Sequence, residues 1–326
     1  MKRNSLLHAL AWVAGVIGVL LLAAGVVLGV MLYPWLRMPD EPESVIEARW
    51  KKVERAAEVP PPSGDDTELL DAIDGFRRFV PPKWSGDEVP LMGRDQLSAA
   101  RERAIQSFTH WLAAGAPYVA PPCMDTVGSR RSAAGLPSFR LGQAAVFTAQ
   151  DADDLPQVEA VLAMAQRERR GGQLVDVAVG FALASLTARW SRDRKVPLPA
   201  RFEPYRPEVK EIRDGLARDV ACIHGLMASG TSPLAAAPGR LGGGARPPFG
   251  LTRMKRERLV FEQAYGLLFE RAEAAGEDWK KMAAEYEHMA HDHPKSLLLA
   301  ALVVHSNIIR KMGEDKDEYD ALVPKP

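Results

Sequence analysis

Charged and apolar residues are distributed unevenly along the chain, and the longest uncharged run lies near its N-terminus. Residues 9–33 contain no charged side chain and consist almost entirely of Ala, Val, Ile, Leu and Gly. A bilayer core about 30 Å thick requires roughly 20 apolar residues in a helix. Trp12, Tyr33 and Trp35 lie near its two ends, where aromatic side chains favour the lipid headgroups. The pattern predicts a single transmembrane helix over 9–33.

A cleaved signal peptide is the main alternative for this segment. The apolar region of a signal peptide usually spans about 7–15 residues and is followed by a small-residue cleavage site. Here the run is longer and continues through Tyr33, Pro34 and Trp35 without such a site. No cysteine follows it closely, which excludes a lipoprotein anchor. We therefore expect an uncleaved membrane anchor.

The orientation of the anchor depends on how far from the helix the charges are counted. Lys2 and Arg3 precede the helix, whereas the opposite flank mixes basic and acidic residues. Counting out to about twenty residues favours the reverse orientation, but positive charge nearest the helix weighs most. We expect residues 1–8 to form a short basic cytoplasmic tail. The C-terminal domain is then extracytoplasmic, and periplasmic if the cell has a periplasm.

Small residues follow one face of the predicted membrane helix, at Ala11, Gly15, Gly18, Gly25 and Gly29. Such a face lets two helix backbones approach closely, and packing drives association inside a bilayer. The face predicts a homo-oligomer or a protein partner that binds through the membrane helix. The alternative is that a span rich in Ala, Gly and Val looks partly small in any register.

Apolar residues beyond the anchor recur at spacings of three and four, which indicates helices. Alanine is frequent, aromatic residues are sparse, and no strand-like alternation is found. The pattern predicts helices over 43–58, 65–80, 94–114, 139–149, 155–170, 173–190, 208–227, 252–275, 278–292 and 294–312, with a short piece around Tyr319. No repeat signature is shared between them. We therefore expect an irregular all-α domain, built like helical hairpins or a solenoid.

Proline and glycine divide the chain after the anchor. Residues 34–64 form a predicted stalk and linker, and its helix 43–58 is either a solvated stalk or a membrane-surface or partner-binding helix. Residues 65–228 form the first part of the helical domain. A Gly/Pro-rich stretch over 229–250 predicts a flexible loop, and 251–326 form the C-terminal helical part.

The segment 173–190 is apolar nearly all round, although Asp176 lies inside it and Arg189 at its end. Its length and these charges predict a buried central helix rather than a second membrane span. The acidic residues before the helix 155–170 and the arginines at its end complement a helix dipole, and we interpret them as capping charges. They are Asp151, Asp153, Asp154, Arg167, Arg169 and Arg170.

Charge balance limits the classes of partner. The chain contains 42 Lys and Arg residues and 42 Asp and Glu residues, so its formal net charge is zero. Nucleic-acid binding requires a basic surface that neutralises phosphates. We therefore expect no nucleic-acid partner. The lipid bilayer is the first expected partner, and a protein partner or a second copy of the chain is the next.

Three histidines near the C-terminus, His288, His291 and His293, are the densest candidate for metal binding. Imidazole and carboxylate groups are ligands that zinc uses. The order of residues is E-H-x-x-H rather than the H-E-x-x-H of zinc proteases, and the apolar stripe of this helix places His288 roughly opposite the core. The metal site is therefore the alternative hypothesis, and we expect no cofactor.

The two cysteines, Cys123 and Cys222, do not form a metal-binding spacing. In an oxidising compartment they are candidates for a disulfide bond. The alternatives are two free thiols, or a Cys123 nucleophile with His224 as its base. A Pro-Pro-Cys loop offers no nearby cation to lower the thiol pKa, which argues against the nucleophile.

These observations favour a single-pass membrane-anchored protein with an extracytoplasmic all-α interaction or scaffold domain. No catalytic residues are identified, so an enzyme is the less favoured class. The runner-up is a membrane-anchored, metal-dependent enzyme that uses His288, His291 and His293.

Overall fold

The computed structural model describes residues 41–59, 61, 63–77, 106–116, 135–228, 249–292 and 301–323. The predicted tail 1–8 and membrane helix 9–33, with its small-residue face, lie outside these residues. So do most of the predicted loop 229–250, Cys123 and His293. The predictions made for these parts therefore stay predictions.

Every regular element in the described residues is helical, and no strand occurs among them. The α-helices are α1 (Glu43–Ala56), α2 (Thr67–Arg77), α3 (106–113), α4 (Gly135–Thr148), α5 (Leu155–Gly171), α6 (Leu174–Arg194), α7 (Val209–Ala228), α8 (Phe249–Ala275), α9 (Trp279–Asp292) and α10 (Ala301–Leu322). Short 3₁₀ helices span Ala152–Asp154 and Ala200–Tyr205. The all-α prediction is confirmed for the described residues.

Helix α6 is the centre of the fold and packs against α4, α5, α7 and α10. Within the described residues it is the one helix long and apolar enough to cross a membrane, judged by length and composition. However, 67% of its apolar window is buried inside the fold. A core helix passes the same test of composition, so this helix is weak evidence for a span.

Apolar side chains form two core clusters that share α6. The first core cluster joins α2, α3, α4 and α5 to α6, and the second joins α1, α7, α8, α9 and α10 to it. Leu183 and Ala188 of α6 belong to the first cluster, whereas Val177 and Phe181 belong to the second. This double role explains why α6 is apolar nearly all round instead of carrying a single apolar stripe.

Helix α1 packs against α7 and α8. Its apolar stripe, Ile46, Trp50 and Val53, is buried. Arg49 adds ion pairs to Glu41 and to Glu270 of α8. The sequence predicts a stalk for this segment, whereas in the structure α1 packs into the folded body.

The last helix continues beyond the predicted end at residue 312 and includes Tyr319. The predicted end is too early because Gly313 follows it, and a glycine at such a position usually signals the end of a helix. Here it serves packing: a Cβ at Gly313 would lie 2.0 Å from the Trp279 ring. The Trp279 indole also donates to Asp317, at 3.2 Å. Glycine therefore lets the α9 indole lie flat on α10.

Candidate functional site

An open groove of about 340 Å³ lies between the C-terminal halves of α4 and α6. Its lining is mainly apolar, with charged groups from the end of α6. The lining residues are Val146, Phe147, Leu186, Arg189, Trp190, Asp193 and Arg194. The Trp190 indole is fixed, since its Nε1 donates to the Ala149 carbonyl at 3.0 Å. This volume is within the range of sites that take a small ligand or a few side chains.

The charges of the groove are unequally compensated. Arg189 donates to Glu318 of α10, with Nε 2.6 Å from Oε1, and this hydrogen bond holds the Glu318 pKa below its ordinary value. Asp193 accepts from Arg192 at 2.8 Å. Arg194 is exposed and has no carboxylate partner among the residues that the structure describes. The groove therefore presents apolar surface beside one uncompensated guanidinium.

A second polar group lies deep in the fold, where α5 turns into α6. Arg167 donates to Asp66 at 2.8 Å and to Glu168 at 2.9 Å, and Glu168 also accepts from Ser138 at 3.1 Å. All four residues are buried. A buried charge is tolerated only when it is paired and hydrogen-bonded. These contacts tie the segment before α2 and helix α4 to the end of α5.

Arg169 and Arg218 complete this buried network. Arg169 is fully buried and donates to Glu211 of α7 and to the Tyr205 carbonyl, both at 2.7 Å. Arg218 of α7 donates to the carbonyls of Gly172 and Arg169, at 2.7 and 2.9 Å. The arginines at the end of α5 therefore do more than complement the helix dipole. Arg167 and Arg169 make buried contacts that sequence reasoning did not find.

Asp176, in the first turn of α6, lies near these buried charges and has a raised pKa. Burial raises its pKa to about 7, and the nearby Glu168 charge adds to the effect. Its Oδ2 accepts from the Gln173 backbone N–H at 3.1 Å. This helix-capping contact therefore holds the carboxyl in surroundings where its ionised form is disfavoured.

A histidine–carboxylate pair joins helices α7 and α8. His224 Nε2 lies 2.6 Å from Glu262 of α8, and Glu262 also accepts from Arg258 at 2.7 Å. The Trp50 ring covers the imidazole at a centroid distance of 4.5 Å. Burial disfavours the Glu262 charge, but the His224 and Arg258 hydrogen bonds prevail and lower its pKa. Cys123 lies outside the described residues, so the alternative that pairs it with His224 as a base stays untested.

A further polar group, which we call the four-helix junction, takes one side chain from each of four helices: Asp219 of α7, Tyr265 of α8, Tyr286 of α9 and His305 of α10. His305 Nε2 lies 3.2 Å from Asp219 Oδ2. The imidazole is edge-on to the rings of Tyr265 and Tyr286, with centroids 6.0 and 6.2 Å away. Burial raises the pKa of both tyrosines, so both stay protonated.

Two of the three predicted metal ligands lie in the described part of the chain. His288 and His291 of α9 are exposed, and His293 lies outside the described residues. In the described part of the chain, no group of three or more His, Cys, Asp or Glu side chains is placed to hold a metal ion. No observation here favours the metal-dependent alternative, which stays an untested prediction.

Cys222 is buried in α7 and is disulfide-bonded. The Gln173 amide lies 3.8 Å from its sulfur. Cys123 is the other cysteine of the chain, and it lies outside the described residues. The pairing of Cys123 with Cys222 therefore stays our prediction.

Comparison with known proteins adds no family to this picture. The chain matches no protein-family model, no curated protein and no solved structure.

Proposed function

We propose that the protein is a single-pass membrane protein whose all-α domain lies outside the cytoplasm and acts as an interaction or scaffold module. The uncharged run 9–33, preceded by Lys2 and Arg3, supports the anchor and its orientation. The disulfide bond of Cys222 supports an oxidising compartment. The buried polar groups hold helices together and so make the domain a rigid support for a binding surface.

The groove between α4 and α6 is the observation that carries the interaction role. Its apolar lining suits a large apolar side chain, and the uncompensated Arg194 suits a carboxylate. The partner is therefore an acidic protein segment that inserts an apolar side chain and places a carboxylate beside Arg194. Charge complementarity of this kind gives specificity more than raw affinity.

Topology is tested with reporters fused after Pro326. Alkaline phosphatase, which folds outside the cytoplasm, is expected to be active, and a fluorescent protein that matures only in the cytoplasm is expected to be dark. The reason is the positive charge of Lys2 and Arg3 beside the predicted helix. The opposite pair of signals would reverse the localisation and remove the reason for a disulfide.

Binding at the groove is tested with the full-length protein in detergent micelles and a labelled peptide that carries phenylalanine between glutamates. Arg194→Glu is expected to weaken binding about tenfold, because an attraction becomes a repulsion. The matched control is Lys280→Glu, which makes the same charge change at an exposed position of α9. A peptide with glutamine for glutamate should bind weakly to all three proteins. Equal losses for both variants would refute the groove as the site.

The membrane helix supplies a separate test of self-association. In an in-membrane association assay on residues 1–40, Gly18→Ile combined with Gly25→Ile is expected to abolish association. The added side chains keep the segment apolar but block close approach of two helices. If the double variant associates as well as the wild type, the small-residue face reflects composition alone.

A further inference from the structure

The four-helix junction contains two buried polar atoms without a hydrogen-bond partner in the described part of the protein. They are the Tyr265 hydroxyl and His305 Nδ1. Both residues are almost fully enclosed, with 2% of Tyr265 and 4% of His305 exposed. An unsatisfied buried polar atom costs about 1–3 kcal/mol, so two such atoms on neighbouring rings require an explanation.

The His305–Asp219 contact defines what each atom can do. A carboxylate only accepts hydrogen bonds, so the imidazole must donate from Nε2, which lies 3.2 Å from Asp219 Oδ2. In the neutral ring Nδ1 is then an acceptor. Burial raises the Tyr265 pKa, so its hydroxyl keeps a proton to donate. The junction thus holds one donor and one acceptor that do not bond each other directly.

We propose that one internal water molecule occupies the four-helix junction, accepts a hydrogen bond from the Tyr265 hydroxyl and donates one to His305 Nδ1. Buried waters usually make about three bonds to otherwise unsatisfied polar groups. The Tyr265 and His305 rings are neighbours, with their centroids 6.0 Å apart, so both unpartnered atoms belong to the same site. Asp219, His305, the water and Tyr265 then form one chain that links α7, α10 and α8.

Denaturant unfolding of the full-length protein in detergent micelles tests the bridge. Tyr265→Phe removes one end of the bridge, and we expect the folding equilibrium constant to fall about fivefold. If no water is present, the same change removes an unsatisfied hydroxyl, and stability stays the same or rises. Either of these results overturns the proposal.

A His305→Leu background supplies the matched control. The bridge has then lost its second end, so Tyr265→Phe is expected to cost much less than in the wild type. An undiminished cost in this background would show that the tyrosine hydroxyl does not act through His305, and would overturn the proposal.

A crystal structure of the full-length protein at a resolution that shows water gives an independent readout, even if the variants fold poorly. We expect density within hydrogen-bonding distance of both Tyr265 Oη and His305 Nδ1. A direct Tyr265–His305 hydrogen bond, or an empty junction, would overturn the proposal. The result does not depend on the interaction role of the groove.

Discussion

The two sides of α6 bury polar groups of different kinds. Around the α5–α6 turn, guanidinium groups pair with carboxylates and carbonyls at 2.7–2.9 Å. In the second core cluster the polar groups are mainly histidines and tyrosines, with Asp219 and Glu262 as the acids. Arginine stays charged at any ordinary pH, whereas imidazole and tyrosine are neutral over much of that range. The buried cations of the α5–α6 side are therefore permanent, whereas on the other side the buried partners of Glu262 and Asp219 include histidines that can be neutral, with the more exposed Arg258 as a second partner of Glu262.

This difference predicts unequal costs when one buried partner is removed. Breaking a buried charge pair leaves an uncompensated charge and typically costs 3–5 kcal/mol. A neutral hydrogen bond contributes less, about 0.5–1.5 kcal/mol. Substitutions on each side test this difference, and all are measured as unfolding free energies of the full-length protein in detergent.

Arg169→Leu should have the largest effect. The guanidinium bonds Glu211 and the Tyr205 carbonyl from a fully buried position. Its loss removes the cation that pairs with Glu211, which keeps only the Glu208 backbone N–H. We expect a destabilisation of about 3 kcal/mol. Arg201→Leu is the control: this exposed arginine pairs with Glu159 at the surface and should cost less than ~1 kcal/mol.

His224→Leu is the corresponding change in the second core cluster. Glu262 keeps its Arg258 hydrogen bond when the imidazole is removed, so no carboxylate is left unpaired. We expect a cost of about 1–2 kcal/mol, clearly below that of Arg169→Leu. If the two substitutions cost the same, the contrast between permanent and neutral groups is wrong.

Much of the fold was predictable because apolar spacing is local information. The sequence predicted most of the described helices to within a few residues, and it identified the segment that became α6 as a buried central helix. The buried arginines were not predictable. Arg169 follows an apolar stripe and resembles a helix-end charge, and only its partners 36 and 42 positions away reveal its role. The polar residues of the four-helix junction come from four helices, so no local pattern marks them.

The close contact of α5 and α6 gives the next prediction. A Cβ at Gly180 would lie 2.4 Å from the Ala165 carbonyl oxygen and 2.6 Å from Arg169 Cγ. Gly180→Ala should therefore push the helices apart and cost about 2 kcal/mol. Gly225 of α7 is exposed with nothing within 4 Å, so Gly225→Ala should instead stabilise by about 0.5–1 kcal/mol through helix propensity. Equal effects would mean that the contact of α5 and α6 is not tight.

Asp176→Asn should have the smallest effect, and its sign depends on pH. Burial and the Glu168 charge raise the Asp176 pKa from 3.8 to about 7, so between these values the folded state binds a proton that the unfolded state has lost. Stability from this group is therefore full below about pH 4 and declines as the pH rises toward 7. The full pKa difference would correspond to about 4 kcal/mol. The side chain is only partly buried, so water that reaches the ionised carboxylate lowers the expected size to about 1 kcal/mol.

Asparagine keeps the oxygen that accepts from Gln173 but never ionises. Asp176→Asn should thus match the wild type near pH 4 and exceed its stability by about 1 kcal/mol at pH 8. Denaturant unfolding at a series of pH values measures both slopes. Asp193→Asn is the control, because this carboxylate is exposed on the same helix and its loss should leave the slope in this range unchanged. Parallel curves for wild type and Asp176→Asn would show that the carboxyl is ionised without penalty, and that the arginines of the α5–α6 turn compensate it fully.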